Sequence, residues 1–203
     1  LLMMLIEHRK KLMVFVMLSM LLIFSVSQLT RTVCQRTQMS LAIYSMNKNT
    51  AIDFVCSAEH VLLCDTMVMN DPKLASFSVE NHLISEGVYK NGTLLPLCCS
   101  NFENHYLKKC KNMVSFGGKT IAFFDNNSTF GVKLPSRPHV DYFVVHGRNK
   151  IDLEKLLNCY IVDLRIIDGS VPDYLRDRII EKAGEIGQEY YDVKTAGAFV
   201  LRL

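Results

Sequence analysis

An uncharged apolar run near the amino end, residues 12–27 (LMVFVMLSMLLIFSVS), constrains this chain more than any other feature. The run continues to Thr30 if Gln28 lies at an interface, which brings it into the range of about 17–25 residues that a membrane-spanning helix needs. A buried helix of a soluble protein would show a polar face, and this run shows none. We therefore predict a transmembrane helix over residues 12–30.

The charges on either side of this run predict its orientation. Residues 9–11 (RKK) lie directly before it, whereas only Arg31 and Arg36 follow closely. The positive-inside rule places the leading, more basic side in the cytoplasm. Residues 31–203 are therefore expected on the outer side of the membrane.

Another apolar stretch, residues 1–6 (LLMMLI), precedes the charges. We interpret residues 1–11 as the end of a preceding membrane segment and a basic loop, so that the chain would be the carboxyl portion of a longer protein. The alternative is a secretory signal peptide. It is disfavoured because the basic cluster follows an apolar stretch and no small-residue cleavage pattern is present.

Residues 31–203 have the length of one domain. The whole chain has 23 Lys and Arg against 20 Asp and Glu, a balance too even for a protein that holds nucleic acid through a broad basic face. Within residues 31–203 the one local basic cluster, residues 108–111, is equally typical of a solvated surface. Phe102, Tyr106, Phe123 and Phe130 could stack on bases, but core packing is the more usual role of such side chains.

Seven cysteines, an odd number, leave at least one without a partner in the chain. Their spacing contains no C-x-x-C and no Cys/His pair at zinc-finger intervals. Buried free thiols are the favoured interpretation because a free cysteine behaves as a small apolar residue. One bridge stays possible if the domain lies outside the cell.

The pattern of apolar residues predicts mostly strands in the first half of the domain. The predicted strands are Ser40–Tyr44, Ile52–Cys56, His60–Cys64, one or two within Phe77–Tyr89, a short run at Leu94–Cys98, and a hairpin of Met113–Phe116 and Thr120–Phe124 about Gly117–Gly118. Residues Asn101–Cys110 are predicted as a helix.

The second half changes to an alternation of buried strands and helices. Strands are predicted at Val140–Val145, Val162–Ile167 and Ala198–Leu201, with helices beginning at Asp152 and after Pro172, the latter burying Leu175, Ile179, Ala183 and Ile186 on one face and ending near Gly187. This order predicts an α/β (α+β) domain: a mixed sheet with helices on at least one face.

Two polar residues follow the buried strands of the second half. Asp168 lies where α/β sheets place ligands, although Asp-Gly-Ser is also ordinary turn chemistry, and we favour the loop-ordering role. His146 follows the other strand, and a metal or catalytic role would need partner residues that its own loop does not supply.

Three segments carry a resemblance to a known family: V-D-Y-F-V-V-H-G from Val140, R-I-I-D-G-S from Arg165, and T-A-G-A-F-V-L from Thr195. With the preceding membrane segment and strand–turn–strand order, they resemble the carboxyl-terminal region of ComEC-type DNA-uptake channels. The last domain of that family is similar to the metallo-β-lactamase fold. The resemblance implies a mixed-sheet sandwich after one transmembrane helix, over Leu12–Leu203.

The chain departs from the family where metal ligands would lie. Residues 45–51 (SMNKNTA) stand where better-preserved members read D-V-G-Q-G-D. Asp65 matches the family's D-T-G position, with Thr66 kept and Met67 in place of Gly. In the S-H-x-x-x-D-H segment only His146 survives.

A hydrolytic metal centre needs about three protein ligands per ion and an open position for water. Asp65, His146 and Asp168 are too few for two such sites, so they are interpreted as vestigial positions, with no catalytic residue, metal or cofactor. The resemblance implies a non-catalytic outer domain in the bacterial cytoplasmic membrane. Its partners would be the membrane, upstream channel helices and single-stranded DNA.

Two alternatives stay open. The first is a metal-dependent hydrolase or nuclease that uses Asp65, His146 and Asp168. The second is a membrane-anchored interaction domain unrelated to DNA.

Overall fold

The computed structural model describes residues 2–71, 79–88, 92–124, 137–147 and 160–203, with side chains from Met13 onward in the first helix. The chain divides into two compact units, Leu1–Thr37 and Gln38–Leu203. The predicted helix from Asp152 and the side chain of Phe130 lie outside the described residues.

The first unit is one continuous helix, α1, from Leu2 to Thr37. It is longer than the predicted 12–30 because no Gly or Pro interrupts its sequence. Its portion Met13–Thr37 contains an 18-residue window with a mean hydropathy of 2.1 and has the length to cross a membrane. Ser19 and Thr30 each donate a hydrogen bond of 2.8 Å to the carbonyl four residues earlier, which satisfies these hydroxyls within the helix.

The second unit contains two β-sheets and short helices. Its strands are β1 (Met39–Ile43), β2 (Ala51–Cys56), β3 (Glu59–Cys64), β4 (Thr93–Pro96), β5 (Asn101–Glu103), β6 (Leu107–Cys110), β7 (Met113–Phe116), β8 (Lys119–Phe123), β9 (His139–Val145), β10 (Ile161–Ile167), β11 (Tyr190–Asp192) and β12 (Phe199–Arg202). Its described helices are α2 (Thr66–Asn70), α3 (Asn81–Glu86), α4 (Asp173–Glu185) and α5 (Val193–Ala196).

Both sheets are mixed. The five-stranded sheet has the order β12-β1-β2-β3-β4, and the seven-stranded sheet has the order β11-β10-β9-β8-β7-β6-β5. Strands β8, β9, β10 and β11 are parallel neighbours, whereas β5 to β8 form an antiparallel meander.

Successive side chains of each strand point to opposite faces of the sheet, and this produces separate apolar layers on the two faces. In β2, Ile52 and Phe54 belong to the core between the sheets, whereas Ala51 and Val55 face the other way. Phe54 meets Phe116 of the opposite sheet edge-on, with ring centroids 5.2 Å apart. The apolar face of each sheet is thus buried against the other sheet.

Helices cover the outer faces of both sheets. Leu175 and Ile179 of α4 pack with Phe143 and Val162 on the seven-stranded sheet. Val68 of α2 and Leu83 of α3, together with Val79 and Val88, pack on the five-stranded sheet. The unit is therefore a four-layer α/β/β/α sandwich, which confirms the predicted fold class and places helices on two faces.

Most predicted strands are present, and two predictions are wrong. The described part of Phe77–Tyr89 is helical: residues 79–80 form a π-helical turn that runs into α3, whose inward side buries Leu83 and Glu86. Residues Asn101–Cys110 form the β5–β6 hairpin, because Asn104 turns the chain by accepting hydrogen bonds from the backbone N–H groups of Tyr106 and Leu107.

The final strand is present, but it lies in the five-stranded sheet and not beside the parallel strands that precede it in the chain. Strand β11, which sequence analysis missed, continues the parallel series beside β10. Strand β12 crosses over and pairs antiparallel with β1. This pairing ties the carboxyl end of the chain to the first strand of the sandwich.

Two burial predictions also need correction. Ile186 is 57% exposed because α4 ends before it, whereas Leu175, Ile179 and Ala183 are buried as predicted. The six described cysteines are free thiols as expected, but only Cys64 is fully buried. Exposed thiols are found at Cys34, Cys98 and Cys110.

Candidate functional site

Four polar residues from both sheets meet at one edge of the sandwich. Asp168 and Ser170 follow β10, Asp65 follows β3, and Thr50 precedes β2. Because β2 and β3 are antiparallel, the start of β2 and the end of β3 share an edge. We call Thr50, Asp65, Asp168 and Ser170 the Thr50 cluster.

The centre of the Thr50 cluster is one carboxylate oxygen, Asp168 Oδ2. Thr50 Oγ1 and Ser170 Oγ each donate to it over 2.6 Å, and the Ser170 backbone N–H adds a bond of 3.2 Å. The two hydroxyl oxygens lie 3.0 Å apart, and Ser170 Oγ accepts a hydrogen bond of 2.8 Å from the Gly147 N–H. Protein donors thus surround this oxygen.

Burial dominates the electrostatics of Asp168. The side chain is only 1% exposed, and removal from water raises its pKa from 3.8 to about 6. The hydrogen bonds from Ser170 and Thr50 oppose this rise because they stabilise the carboxylate. Asp168 therefore changes protonation close to neutral pH.

Asp65 joins the cluster through the backbone of Thr50. Its Oδ2 accepts a hydrogen bond of 2.8 Å from the Thr50 N–H, and its own N–H donates over 3.1 Å to the Thr50 carbonyl. Asp65 also precedes α2 as its N-cap residue, without a side-chain capping bond. Its described contacts fix the loop before β2.

His146 lies at the same edge but with a different neighbour. Its ring meets Phe123 edge-on at 6.3 Å between centroids, and Lys109 Nζ lies 6.0 Å from the same Phe123 ring. Phe102, Tyr106 and Phe123 pack against or within the core between the sheets, as predicted for these aromatic residues.

The loop between β1 and β2 approaches the Asp168–Ser170 turn closely. A β-carbon at Gly169 would lie 2.9 Å from the Met46 carbonyl oxygen, closer than real side chains approach. Gly169 is therefore required for this contact rather than for a special backbone angle. The loop between β1 and β2 therefore lies directly against the turn.

These residues do not fit a hydrolytic metal centre. A dication needs lone pairs directed at it, whereas Thr50 and Ser170 direct protons at Asp168 Oδ2. Across the described ranges, no group of three or more His, Cys, Asp or Glu side chains is arranged to hold a metal ion. Of the three predicted positions, Asp65 and Asp168 are joined through Thr50, and His146 contacts a separate aromatic group.

Sequence reasoning missed Thr50 and the hydroxyl of Ser170. The sequence contains a signal for the Ser170 contact, because Ser170 stands two residues after Asp168, a spacing typical of Asp side chains that bond their own turn. The sequence contains no such signal for the Thr50 contact, because Thr50 and Asp168 are 118 positions apart.

A second buried polar cluster lies under α3, on the outer face of the five-stranded sheet. Asp53, fully buried, contacts His60 Nδ1 at 3.0 Å and accepts a hydrogen bond of 3.3 Å from the Tyr44 hydroxyl. Burial, and then the Asp53 charge, raise the pKa of Tyr44. Gly92 packs on the His60 ring so closely that a β-carbon there would clash with it. The contacts of Asp53, His60 and Tyr44 hold together the outer face of the five-stranded sheet, and sequence analysis did not predict them.

The fold and the Thr50 cluster define a class: an α/β/β/α sandwich that follows an apolar helix in the chain and has hydroxyl–carboxylate bonds between its two sheets. A family model described as the ComEC C-terminal domain matches residues 41–203. The chain belongs to the ComEC family, as its carboxyl-terminal domain, and so to a membrane-associated family with a role in DNA-uptake competence. This confirms the predicted resemblance. No curated protein matches the chain.

Proposed function

We propose that this chain supplies a non-catalytic, extracytoplasmic domain to a membrane channel for DNA uptake in natural transformation. The family match and the apolar helix α1 support a membrane-bound role in competence. The domain would act as a scaffold for the upstream channel helices, beside the path of single-stranded DNA. It would need no metal and no catalytic residue.

One observation carries the non-catalytic part of the proposal. The carboxylate of Asp168, the most buried acid of the predicted site, already accepts hydrogen bonds from Thr50 and Ser170. These hydroxyls stabilise the ionised form of the buried carboxylate by hydrogen bonding, and the Thr50–Asp168 bond joins the two sheets. A domain stabilised in this way keeps the fold without a metal ion.

Transformation assays in the native host test the proposal. His146→Ala and Asp65→Asn are expected to leave the transformation frequency unchanged, provided that immunoblots show normal protein levels. Deleting residues 38–203 is expected to reduce transformation to background, because the channel loses its outer domain. The deletion shows that the assay responds to this domain.

Metal and nuclease measurements on the purified full chain complete the test. Elemental analysis is expected to find zinc and manganese well below stoichiometric amounts, and labelled DNA should stay intact. Stoichiometric metal together with DNA cleavage that His146→Ala abolishes would establish the hydrolase alternative. Normal transformation without residues 38–203 would favour an interaction domain unrelated to DNA.

A further inference from the structure

Three cysteines lie near one another in the described part of the chain, away from the Thr50 cluster contacts. Cys98 and Cys99 follow β4 in the turn to β5, and Cys110 ends β6. Cys98 and Cys110 are exposed, Cys99 is half-buried, and all three are free thiols. No step of the proposed function uses them.

Strand register places Cys110 two residues from Cys99 along the neighbouring strand. Cys110 pairs directly with Asn101, and the Lys111 N–H continues the pairing by donating to the Ser100 carbonyl. Asn101 and Cys110 both point outward, opposite to the buried Lys109. Cys99 precedes Asn101 by two residues, the position that a longer β5 would make the diagonal neighbour of Cys110, and its Sγ donates over 3.4 Å to the Asn101 carbonyl.

Diagonal neighbours across antiparallel strands lie about 7–8 Å apart between Cα atoms, just beyond the roughly 4.4–6.8 Å found in disulfides. Cys99 lies outside the strand ladder, in a turn closed by its N–H bond to the Pro96 carbonyl. A disulfide between the two sulfur atoms therefore requires this turn to move toward the end of β6.

The three thiols share Lys109 as a neighbour. Lys109 is buried except for 3% of its surface, and burial lowers its pKa, while Cys99, Cys98 and Cys110 act in the opposite direction.

We propose that Cys99 and Cys110 form a reversible dithiol–disulfide site that links the β4–β5 turn to the end of β6. The oxidant is a disulfide, either a small-molecule disulfide or that of a thiol oxidase. The site is independent of DNA binding and of the Thr50 cluster.

The reaction is a thiol–disulfide exchange in two steps. The exposed Cys110 thiolate attacks the external disulfide, forms a mixed disulfide and releases one thiolate. Cys99 then loses its proton and attacks Cys110 Sγ, which forms the Cys99–Cys110 bond and releases the second thiolate. The protein loses two electrons and two protons, and the external disulfide becomes two thiols.

Peptide mapping of the purified full chain in detergent tests the site. The reduced chain is treated with oxidised glutathione, the remaining thiols are blocked with N-ethylmaleimide, and the peptides are identified by mass spectrometry. We expect a Cys99–Cys110 cross-link that dithiothreitol reverses. Cys99→Ser and Cys110→Ser should each abolish it, with Cys110→Ser also losing the mixed disulfide.

Cys98→Ser is the matched control, because it removes the neighbouring exposed thiol and should leave the cross-link intact. Circular dichroism of each reduced variant establishes that it is folded. A bridge that survives Cys99→Ser but not Cys98→Ser would overturn the assignment. So would a Cys98–Cys99 bridge, or a folded wild-type chain in which Cys110 gains only glutathione.

Discussion

Thr50 joins three segments of the domain with a single residue. Its backbone N–H and carbonyl bond to Asp65, and its hydroxyl bonds to Asp168 in the other sheet. The residue is completely buried, so these groups have no access to water. Removing one of these three groups therefore leaves its buried partner without a hydrogen bond, because no water can take its place.

Thr50→Val is expected to destabilise the domain by about 1–3 kcal/mol, because the nearly isosteric change removes a hydrogen-bond donor to a buried carboxylate. Urea unfolding of the full chain in detergent measures this change. Thr93→Val is the control: Thr93 is exposed on β4, and its replacement should alter the free energy of unfolding little. Equal effects at the two positions would contradict the role given to Thr50.

Asp168 also predicts a dependence of stability on pH. Its pKa in the folded chain is about 6, above the unfolded value of 3.8, so the folded state binds the proton more tightly. The stabilisation that this proton provides is complete below the unfolded pKa and is lost as the pH rises through about 6.

Comparison with Asp168→Asn isolates this contribution. Between pH 4 and pH 7, the wild type should lose about 2 kcal/mol of unfolding free energy relative to the variant, since one unit of pKa shift corresponds to about 1.4 kcal/mol and part of the stabilisation is already lost at pH 4. Asp177→Asn, at a position that is 66% exposed, should follow the wild-type profile. Parallel profiles for wild type and Asp168→Asn would show that Asp168 titrates as an ordinary surface acid.

At the scale of elements, the two sheets depend on a close approach between loops. Gly169 lets the Asp168–Ser170 turn lie against the backbone at Met46. Gly169→Ala is expected to destabilise the domain by about 1–3 kcal/mol, because backbone cannot move aside as a flexible side chain can. Gly184→Ala in α4, where a β-carbon meets no atom within 4 Å, should instead stabilise it by about 0.5–1 kcal/mol. Thermal unfolding measures both, and a neutral Gly169→Ala would mean that the loops separate easily.

The strands that sequence predicted correctly in the second half contain runs of apolar residues. Strands β9 and β10 are buried on both faces toward their carboxyl ends, so their apolar runs have one interpretation. Residues 101–110 were misassigned because the segment alternates polar and apolar residues over short distances, and only Asn104 marks the turn. The helix around Leu83 was missed because its β-branched and apolar residues also suit a strand.

The candidate site was predictable only in part for a related reason. Asp168 and His146 follow strands, so local order identified them. The contacts that decide their chemistry come from the other sheet, through Thr50, or from a packed ring, Phe123. Pairing of sheets across a core depends on long-range packing, which local periodicity does not contain.

For the whole molecule, the decisive question is on which side of the membrane the sandwich lies. The unit from Gln38 to Leu203 follows α1 directly, and the flanking charges predict that it lies outside. The thiols provide a direct assay, since Cys98 and Cys110 are exposed. A membrane-impermeant maleimide applied to cells should therefore label the chain without permeabilisation, after removal of the outer membrane if the host has one.

The matched variant is Cys34→Ser, Cys98→Ser, Cys110→Ser, which lacks the three exposed thiols of the described chain and should lose most labelling. Restoring Cys110 alone should recover it in cells first treated with a membrane-impermeant reductant, because the end of β6 is open to solvent and the reductant opens any Cys99–Cys110 bridge. Labelling of Cys110 only in permeabilised cells would place the sandwich in the cytoplasm. The helix could still anchor the domain, but the domain would then meet DNA only after its passage through the membrane.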